Sequence, residues 1–170
     1  MKTAFAGVPL VAQAQIETPI GPMTALATAQ GLAGLWFDAQ AHHPGELAAP
    51  VAANNAHIKA ARQWLDAYWA GKSTAAIALT LDLHGTLFQR AVWQALRNVT
   101  QGRTQTYGEI AAQVGKGAAP RATGAAIGRN PVGVIVPCHR VIGANGSLTG
   151  YAGGLQRKQT LLQHEGVLLV

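Results

Sequence analysis

The stretch Val134-Ile135-Val136-Pro137-Cys138-His139-Arg140-Val141-Ile142-Gly143 contains the only cysteine in a chain of 170 residues. The β-branched run Val134–Val136 predicts a short interior strand, which the following proline ends because it lacks a backbone donor. Cys138 would then sit on rigid backbone, with hydrogen-bond donors or positive charge from His139 and Arg140 beside it. Such surroundings favour the thiolate, which is the nucleophilic form of cysteine. The alternative interpretation of Cys138 is a small buried apolar side chain.

The composition is typical of a folded chain with a sizeable core. Apolar residues make up 49% and charged residues 12%, which excludes a disordered chain, and the length suits one large domain or two small ones. A single cysteine excludes an intramolecular disulfide framework and fits a reducing, cytoplasmic location. No apolar run approaches the ~20 residues that span a bilayer. The N-terminus imitates a weak signal peptide, but Gly7 and Pro9 interrupt its apolar part, so we predict a mature start and no membrane partner.

Charge is distributed unevenly between the two halves of the chain. Residues 1–83 contain four Lys or Arg against five Asp or Glu, a net charge of −1. Residues 84–170 contain nine Lys or Arg against two Glu, a net charge of +7. A half-chain this basic favours a polyanionic partner, most simply nucleic acid, although a merely basic surface is the alternative.

Residues 1–83 predict a small α+β domain without recognisable chemistry. The turn Gln30-Gly31 joins two strands, and a helical period and then an alternating period follow a loop at 38–55 that is rich in Ala, Pro, His and Asn. Adjacent histidines cannot easily share one metal ion, so His42 and His43 in this loop are predicted to be solvated. The predicted elements are the strands Leu26–Ala29 and Leu32–Phe37, the helix His57–Gly71 and the strand Ile77–Leu83.

Residues 84–170 predict a helical domain. Thr86 and Thr106 can each N-cap a helix, and Pro120 suits the first position of another. Two short helices around a Gly-containing turn, inside the basic half, outline a helix-turn-helix. A Gly-rich loop later offers backbone that a flat ligand can approach. In order, the predicted elements are the helix after Thr86, the helix Tyr107–Val114, the turn Gly115–Ala119, the helix Arg121–Ile127, the loop Gly150–Gly154 and the helix Leu155–Gly166.

Taken together, the motifs of the second half resemble one family, the O6-alkylguanine-DNA alkyltransferases, and most closely their bacterial constitutive form. The resemblance runs in order from about residue 84 to 168, and Cys-His-Arg after a proline is its most specific part. It implies an α+β fold class, with a small ribonuclease-H-like N-terminal domain (1–83) and a helical C-terminal DNA-binding domain (84–170) that carries a helix-turn-helix and an active-site cysteine. The motifs are Gly85-Thr86-x-Phe88-Gln89, Val92-Trp93, Thr106-Tyr107-Gly108, Ile110-Ala111, Arg121-Ala122-x-Gly124, Asn130-Pro131, Pro137–Ile142, Gly150-Tyr151-x-Gly153-Gly154 and Glu165-Gly166.

The resemblance also implies a role for each matching residue. Cys138 would accept an alkyl group directly from O6 of guanine or O4 of thymine, in one irreversible turnover. His139 and Glu165 would activate the thiol through a bridging water, and Asn130 would order the adjacent turns. Tyr107 would help rotate the damaged nucleotide out of the duplex and assist protonation of the leaving base. Flipping is needed because the alkylated atom lies inside the base stack, out of reach of a buried sulfur.

The implied partner is double-stranded DNA with alkylated bases, bound through its minor groove by a monomer, and the sequence leaves open whether binding is cooperative. Arg121 would fill the space that the flipped base vacates, and Tyr151 with the loop to Gly154 would line the pocket. The candidate DNA contacts are Arg121, Tyr107, Ala122, Thr123, Gly124 and Arg129, and the candidate pocket residues are Val141, Tyr151, Ala152, Gly153 and Gly154.

Two positions depart from the family pattern, since Gly117 stands where a proline is usual and Pro120 where an alanine is usual. No cofactor and no metal are expected, because the six histidines include no sequence-close set with zinc spacing and one thiol cannot build a structural zinc site. Two other functions stay open at this point. One is a DNA-binding module with a structural cysteine, and the other is a cysteine hydrolase, which would need a base that reaches the sulfur through space.

Overall fold

The computed structural model describes residues 4–115 and 119–167 of the chain. The chain divides into two compact units. The first comprises Met1–Ala39 and His43–His84, and the second comprises Gln40–His42 and Gly85–Val170. Within the described residues, no helix is both long enough and apolar enough to cross a membrane.

The first unit is built on a three-stranded antiparallel sheet in the order β1-β2-β3, with β1 at Ala12–Ile16, β2 at Met23–Ala27 and β3 at Leu32–Phe37. The predicted meander around Gln30-Gly31 is confirmed, with β3 as predicted, but the strand predicted at Leu26–Ala29 lies at Met23–Ala27. The sequence did not predict β1. All six residues of β3 are buried, which indicates that side chains cover this strand on both faces. Phe5, Leu26, Ala33 and Trp36 form an apolar cluster of buried residues.

The predicted helix of the first unit is confirmed as α1, Ala56–Trp69. Asn55 caps it, since its side chain accepts hydrogen bonds from the backbone of His57 and Ile58. The predicted strand Ile77–Leu83 is wrong. Leu81 makes only an isolated parallel bridge to Leu32, because the chain there bonds to β3 through Thr80 O and Asp82 N alone and is otherwise irregular.

The second unit is mainly helical, as predicted. Thr86 and Thr106 each close a capping box, at the starts of α2 (Leu87–Arg97) and α3 (Tyr107–Gln113). The next helix, α4 (Pro120–Gly128), begins at Pro120 as predicted, and α5 (Leu155–His164) follows near the end of the chain. Trp93 on α2 is buried and donates from Nε1 to Ala126 O on α4 at 2.8 Å, which ties these two helices together. Most of the predicted turn Gly115–Ala119, including Gly117, lies outside the described residues.

The chain around Cys138 is not the strand that its β-branched residues predict. Val134–Val136 form turns, and Val134 has a φ of 66°. The turns are held by a backbone bond from Val136 N to Val132 O at 3.0 Å and by the Asn130 side chain, so local bonds replace a sheet partner. A 3₁₀ turn at Cys138–Arg140 then leads into β5 (Val141–Ile142), which pairs in parallel with β4 (Gln105–Thr106).

Candidate active site

Cys138 lies in the 3₁₀ turn and is buried, with 7% of its surface exposed. Asn130 Nδ2 donates to Sγ at 3.1 Å and to Val136 O at 2.7 Å, while Asn130 Oδ1 accepts from Val132 N at 3.0 Å. The Asn130 amide therefore orders the turns that carry the sulfur and also offers the sulfur a donor. A donor in this position stabilises a thiolate more than a thiol.

Behind the cysteine, His139 and Arg140 converge on one carboxylate. His139 Nε2 lies 2.7 Å from Glu165 Oε1, and Arg140 donates to both carboxylate oxygens at 2.9 Å. The side chains of His139 and Glu165 are completely buried. Glu165 sits at the C-cap of α5, so the end of this helix brings the carboxylate under the 3₁₀ turn.

The ionisation of this cluster fixes the tautomer of His139. Burial opposes the charge of Glu165, but hydrogen bonds from His139 and Arg140 outweigh it and lower its pKa to about 2. Burial also lowers the pKa of His139, which keeps this imidazole neutral. A carboxylate can only accept, so Nε2 carries the proton and Nδ1 has the free lone pair. Nδ1 is buried and has no hydrogen-bond partner among the described residues.

The expectation that its neighbours favour a resting thiolate at Cys138 is wrong. Burial raises the pKa of the thiol, and the hydrogen bond from Asn130 and the charge of Lys158 offset this only in part. His139 is neutral and Arg140 is paired with Glu165, so neither adjacent residue supplies the free positive charge that the sequence suggested. Cys138 rests as a thiol, and a base must take its proton.

Lys158 is a site residue that the sequence analysis did not single out. Its side chain is buried, and Nζ donates to the carbonyls of Val141 at 2.5 Å, Thr149 at 2.9 Å and Gly150 at 3.1 Å. Burial lowers its pKa to about 8, although the nearby Cys138 opposes this shift. Tyr107 OH donates to the same Thr149 carbonyl at 2.9 Å, so the lysine and the tyrosine hold one loop from two sides. A lysine at an apolar helical position carries no sequence signal for such a role.

A cavity of about 270 Å³ opens beside the sulfur, entirely within the second unit. Its size lies near the lower end of small-molecule sites, which suits a single planar base. Three parts of the chain surround it besides Cys138: α3 with α4, the loop at 150–152, and a short segment at 41–42. Its lining residues are Ala41, His42, Tyr107, Gly124, Ile127, Gly128, Cys138, Gly150, Tyr151 and Ala152.

Of the predicted pocket residues, Tyr151 and Ala152 line this cavity and three others do not. Val141 is buried in β5. Gly153 bonds through its carbonyl to Arg157 Nη1 at 3.1 Å, and Gly154 caps α5 with a φ of 91°. The first half of this Gly-rich loop therefore faces the cavity, and its second half starts a helix.

Helix α4 divides into an exposed face and a buried face. Arg121, Ala122 and Arg129 are exposed, and Gly124 is partly exposed beside the cavity. The prediction that Thr123 contacts DNA is wrong, because this residue is fully buried and its hydroxyl donates to Ala119 O at 3.1 Å. An ideal Cβ on Gly124 would lie 3.8 Å from the Tyr107 ring, so this glycine brings α4 close to the tyrosine.

Gly150 lines the cavity as part of the predicted Gly-rich loop, although it was not among the predicted pocket residues, and sequence reasoning missed four residues outside that loop, namely Ala41, His42, Ile127 and Gly128. The two on α4 could have been found, because Gly124, Ile127 and Gly128 are three and four positions apart and share one helix face. The other two lie in a loop far away in the sequence, and no local pattern marks them.

Both halves of the chain match models of one family. Residues 11–83 match the ribonuclease-like domain of 6-O-methylguanine DNA methyltransferase, and residues 87–167 match its DNA-binding domain. The methylated-DNA–protein-cysteine methyltransferase of Mycobacterium leprae is 49% identical over 150 residues, which cover 88% of this chain and 89% of that protein. The Salmonella typhimurium protein of the same name is 56% identical over 103 residues, covering 61% and 60%.

The structure of Mycobacterium tuberculosis OGT in complex with DNA superposes with a TM-score of 0.80 and 43% identity, covering 91% of this chain and 92% of that one. The chain therefore belongs to the family of methylated-DNA–protein-cysteine methyltransferases.

Proposed function

We propose that this protein repairs alkylated DNA directly, by moving the alkyl group from O6 of guanine, or from O4 of thymine, to Sγ of Cys138. A buried thiol beside a base-sized cavity, backed by a neutral histidine and an ionised glutamate, is the observation that carries this proposal. Within the family we assign the chain to the bacterial constitutive form, because of the motifs that the sequence shares with that form.

The thiol loses its proton to Nδ1 of His139 through a bridging water. Nδ1 is the basic nitrogen, because Nε2 donates to Glu165, and the carboxylate stabilises the imidazolium that forms. Arg140 keeps Glu165 ionised and in position. Asn130 Nδ2 then donates to the new thiolate, so the charge that appears on sulfur meets a fixed donor inside a dry site.

The thiolate displaces the base from the alkyl carbon in one step. A sulfur–carbon bond forms, the bond from that carbon to O6 breaks, and its electron pair passes to the purine, which takes up a proton. Tyr107 lines the cavity with its hydroxyl held at Thr149 O, and we assign to it the delivery of this proton. Water then returns a proton to the tyrosinate, and the imidazolium of His139 releases the proton that it took from the thiol, so the protons balance. The product is a thioether, which water does not cleave, so each chain reacts once.

DNA binding is assigned to the exposed face of α4, in the minor groove, with the damaged nucleotide flipped into the cavity. Arg121 and Gly124 are three positions apart and share a face, which sets the guanidinium one turn from a residue that lines the cavity. A flat cation there can stack in the gap that the flipped base leaves. The DNA complex of the M. tuberculosis relative supports DNA as the partner.

A mass spectrum tests the transfer. After incubation with excess duplex DNA containing O6-methylguanine, we expect one added methyl group per chain, on the peptide with Cys138. Cys138→Ser should bind the same DNA and gain no mass, because a hydroxyl is neither acidic nor soft enough to react. Repeated turnover with unmodified protein would indicate a hydrolase, and binding without any mass change in the wild type would indicate a DNA-binding module.

Arg121→Ala tests whether Arg121 acts as a wedge, that is, whether its guanidinium stacks in the gap that the flipped base leaves. A lost wedge slows repair in duplexes while free O6-methylguanine base, which needs no flipping, reacts nearly as before. A lost phosphate contact instead weakens binding to all DNA and lowers the slope of log K against log salt concentration by about one unit. Equal slowing with free base and duplex would contradict both roles. Arg97→Ala, which removes an exposed arginine at the last position of α2, is the matched control.

A further inference from the structure

The segment Gln40–His42, of which Ala41 and His42 line the cavity, is the least expected part of its surroundings. Gln40–His42 group with the second unit, although the residues on both sides of them belong to the first. Ala41 N donates to Ala152 O at 3.0 Å, and Ala152 itself lines the cavity. The segment is therefore bonded to the loop that forms the neighbouring wall.

The backbone is strained directly before this segment and at its last residue. Ala39 has a φ of 58° and His42 a φ of 62°, and apart from Val134 no other non-glycine residue in the described ranges has a positive φ. Side chains other than glycine adopt this conformation at a cost, which a structure tolerates mostly at turns and ligand clamps.

His42 is both exposed and a lining residue, so it lies at the open side of the cavity. Its neighbour His43 does not line the cavity and instead packs on Trp36, with ring centroids 5.8 Å apart. Two adjacent histidines thus have different surroundings, and only His42 can touch a molecule in the cavity.

We propose that His42, held by the bond from Ala41 to Ala152, is a specificity-determining residue that limits the size of the alkyl group accepted with the base. This inference rests on the proposed transfer to Cys138. His42 is one of the residues that line a cavity of about 270 Å³, so shortening its side chain enlarges the space available to the alkyl group. A wall of this kind discriminates by size, because a longer alkyl chain must displace it.

The test compares two substrates that differ only in alkyl length, O6-methylguanine and O6-n-butylguanine, in the same duplex. Single-turnover rate constants for alkylation of Cys138 are measured by mass spectrometry. In His42→Asn, which shortens the side chain and keeps a residue that tolerates positive φ, we expect the butyl-to-methyl rate ratio to rise about tenfold, the effect of roughly one methylene of added room. His42→Gly, which also relieves the backbone, should raise the ratio at least as much.

His43→Ala is the matched control, since it changes the adjacent histidine of the same loop and should leave the ratio unchanged. A general loosening of the loop would alter both rates together and would not change the ratio. An unchanged or lower ratio in both His42 variants, with transfer to Cys138 intact in the wild type, would overturn the role of His42 alone. No transfer from either substrate in the wild type would instead overturn the proposed function.

Discussion

At the scale of single residues, Asn130 has the most demanding position in the site. It serves two backbone groups, Val136 O and Val132 N, and the sulfur of Cys138 with one amide. Every polar atom that it satisfies is buried, so its loss leaves unpaired groups in a dry environment. Its structural role and its chemical role are therefore distinct and can be measured separately.

Asn130→Ala should lower both stability and reactivity. Unpaired backbone groups cost about 1–3 kcal/mol each, which urea unfolding at neutral pH measures. Loss of the donor at Sγ should raise the pKa of Cys138 further, because this hydrogen bond favours the thiolate. The single-turnover rate should fall about tenfold or more, and its pH profile should move to higher pH. A destabilised variant with an unshifted pH profile would show that Asn130 has only a structural role.

Glu165 contributes to the acid dependence of the protein's stability through its buried carboxyl. Its pKa is lowered to about 2 in the folded state, against an ordinary value of about 4.3 in the unfolded chain. Because the folded pKa is the lower one, this contribution is complete above about pH 4.3 and is lost as the pH falls towards 2.

Glu165→Gln should remove this part of the acid dependence. It should also lower stability near pH 7 by up to about 3–5 kcal/mol, since Arg140 loses the partner of a buried ion pair. Urea unfolding between pH 3 and 7 measures both effects. Glu109→Gln is the control, because that carboxylate also has a lowered pKa, from its bond to the Thr106 backbone, but is exposed. Equal acid dependence in wild type and Glu165→Gln would contradict the lowered pKa.

At the scale of helices and turns, the sequence predicted most where a residue's neighbours in the chain decide the structure. Thr86 and Thr106 were predicted as N-caps because a threonine hydroxyl satisfies backbone donors three residues on, and both caps are present. Pro120 was predicted to begin a helix for a similarly local reason, and it does.

The sequence predicted least where residues that are distant in the chain determine the structure. Val134 and Val136 are buried as expected, but burial does not require a sheet, and the Asn130 amide supplies a bond that a strand partner would give. The position of His42 at the cavity depends on a bond to Ala152, 111 positions after Ala41, which no local pattern can reveal. The protonation state of Cys138 depends on its burial and on Glu165, since Glu165 neutralises the charge of Arg140.

The two capping boxes provide a matched pair for testing whether α3 positions Tyr107. Thr106→Ala and Thr86→Ala each remove a hydroxyl that caps a helix, so each should cost about 1 kcal/mol of stability. Tyr107 is the first residue of α3, whereas no residue of α2 lines the cavity. We therefore expect Thr106→Ala to slow alkyl transfer several-fold and Thr86→Ala to leave it unchanged. Equal rates in the two variants, at equal stability, would indicate that the start of α3 does not set the position of the tyrosine.

At the scale of the whole molecule, the excess of positive charge and the candidate nucleophile lie in the same half of the chain. Residues 84–170 carry a net charge of +7 and contain Cys138, while residues 1–83 carry a net charge of −1. Binding to a polyanion depends on where positive charge can meet phosphate and not on net charge alone. Two variants with the same change in net charge, made at different places, can separate the effect of charge position from the effect of net charge.

Arg129→Glu and Lys59→Glu each change the net charge by two units at an exposed position, the first at the C-cap of α4 and the second on α1 of the other unit. If α4 meets the DNA backbone, Arg129→Glu should weaken binding to undamaged duplex about tenfold or more and lower the slope of log K against log salt concentration by about one, because one phosphate contact is lost. Lys59→Glu should change the affinity far less and leave the slope as it is. Fluorescence anisotropy over a range of salt concentrations measures both. Equal losses in the two variants would mean that net charge alone governs binding, and the assignment of α4 as the DNA-binding face would then be wrong.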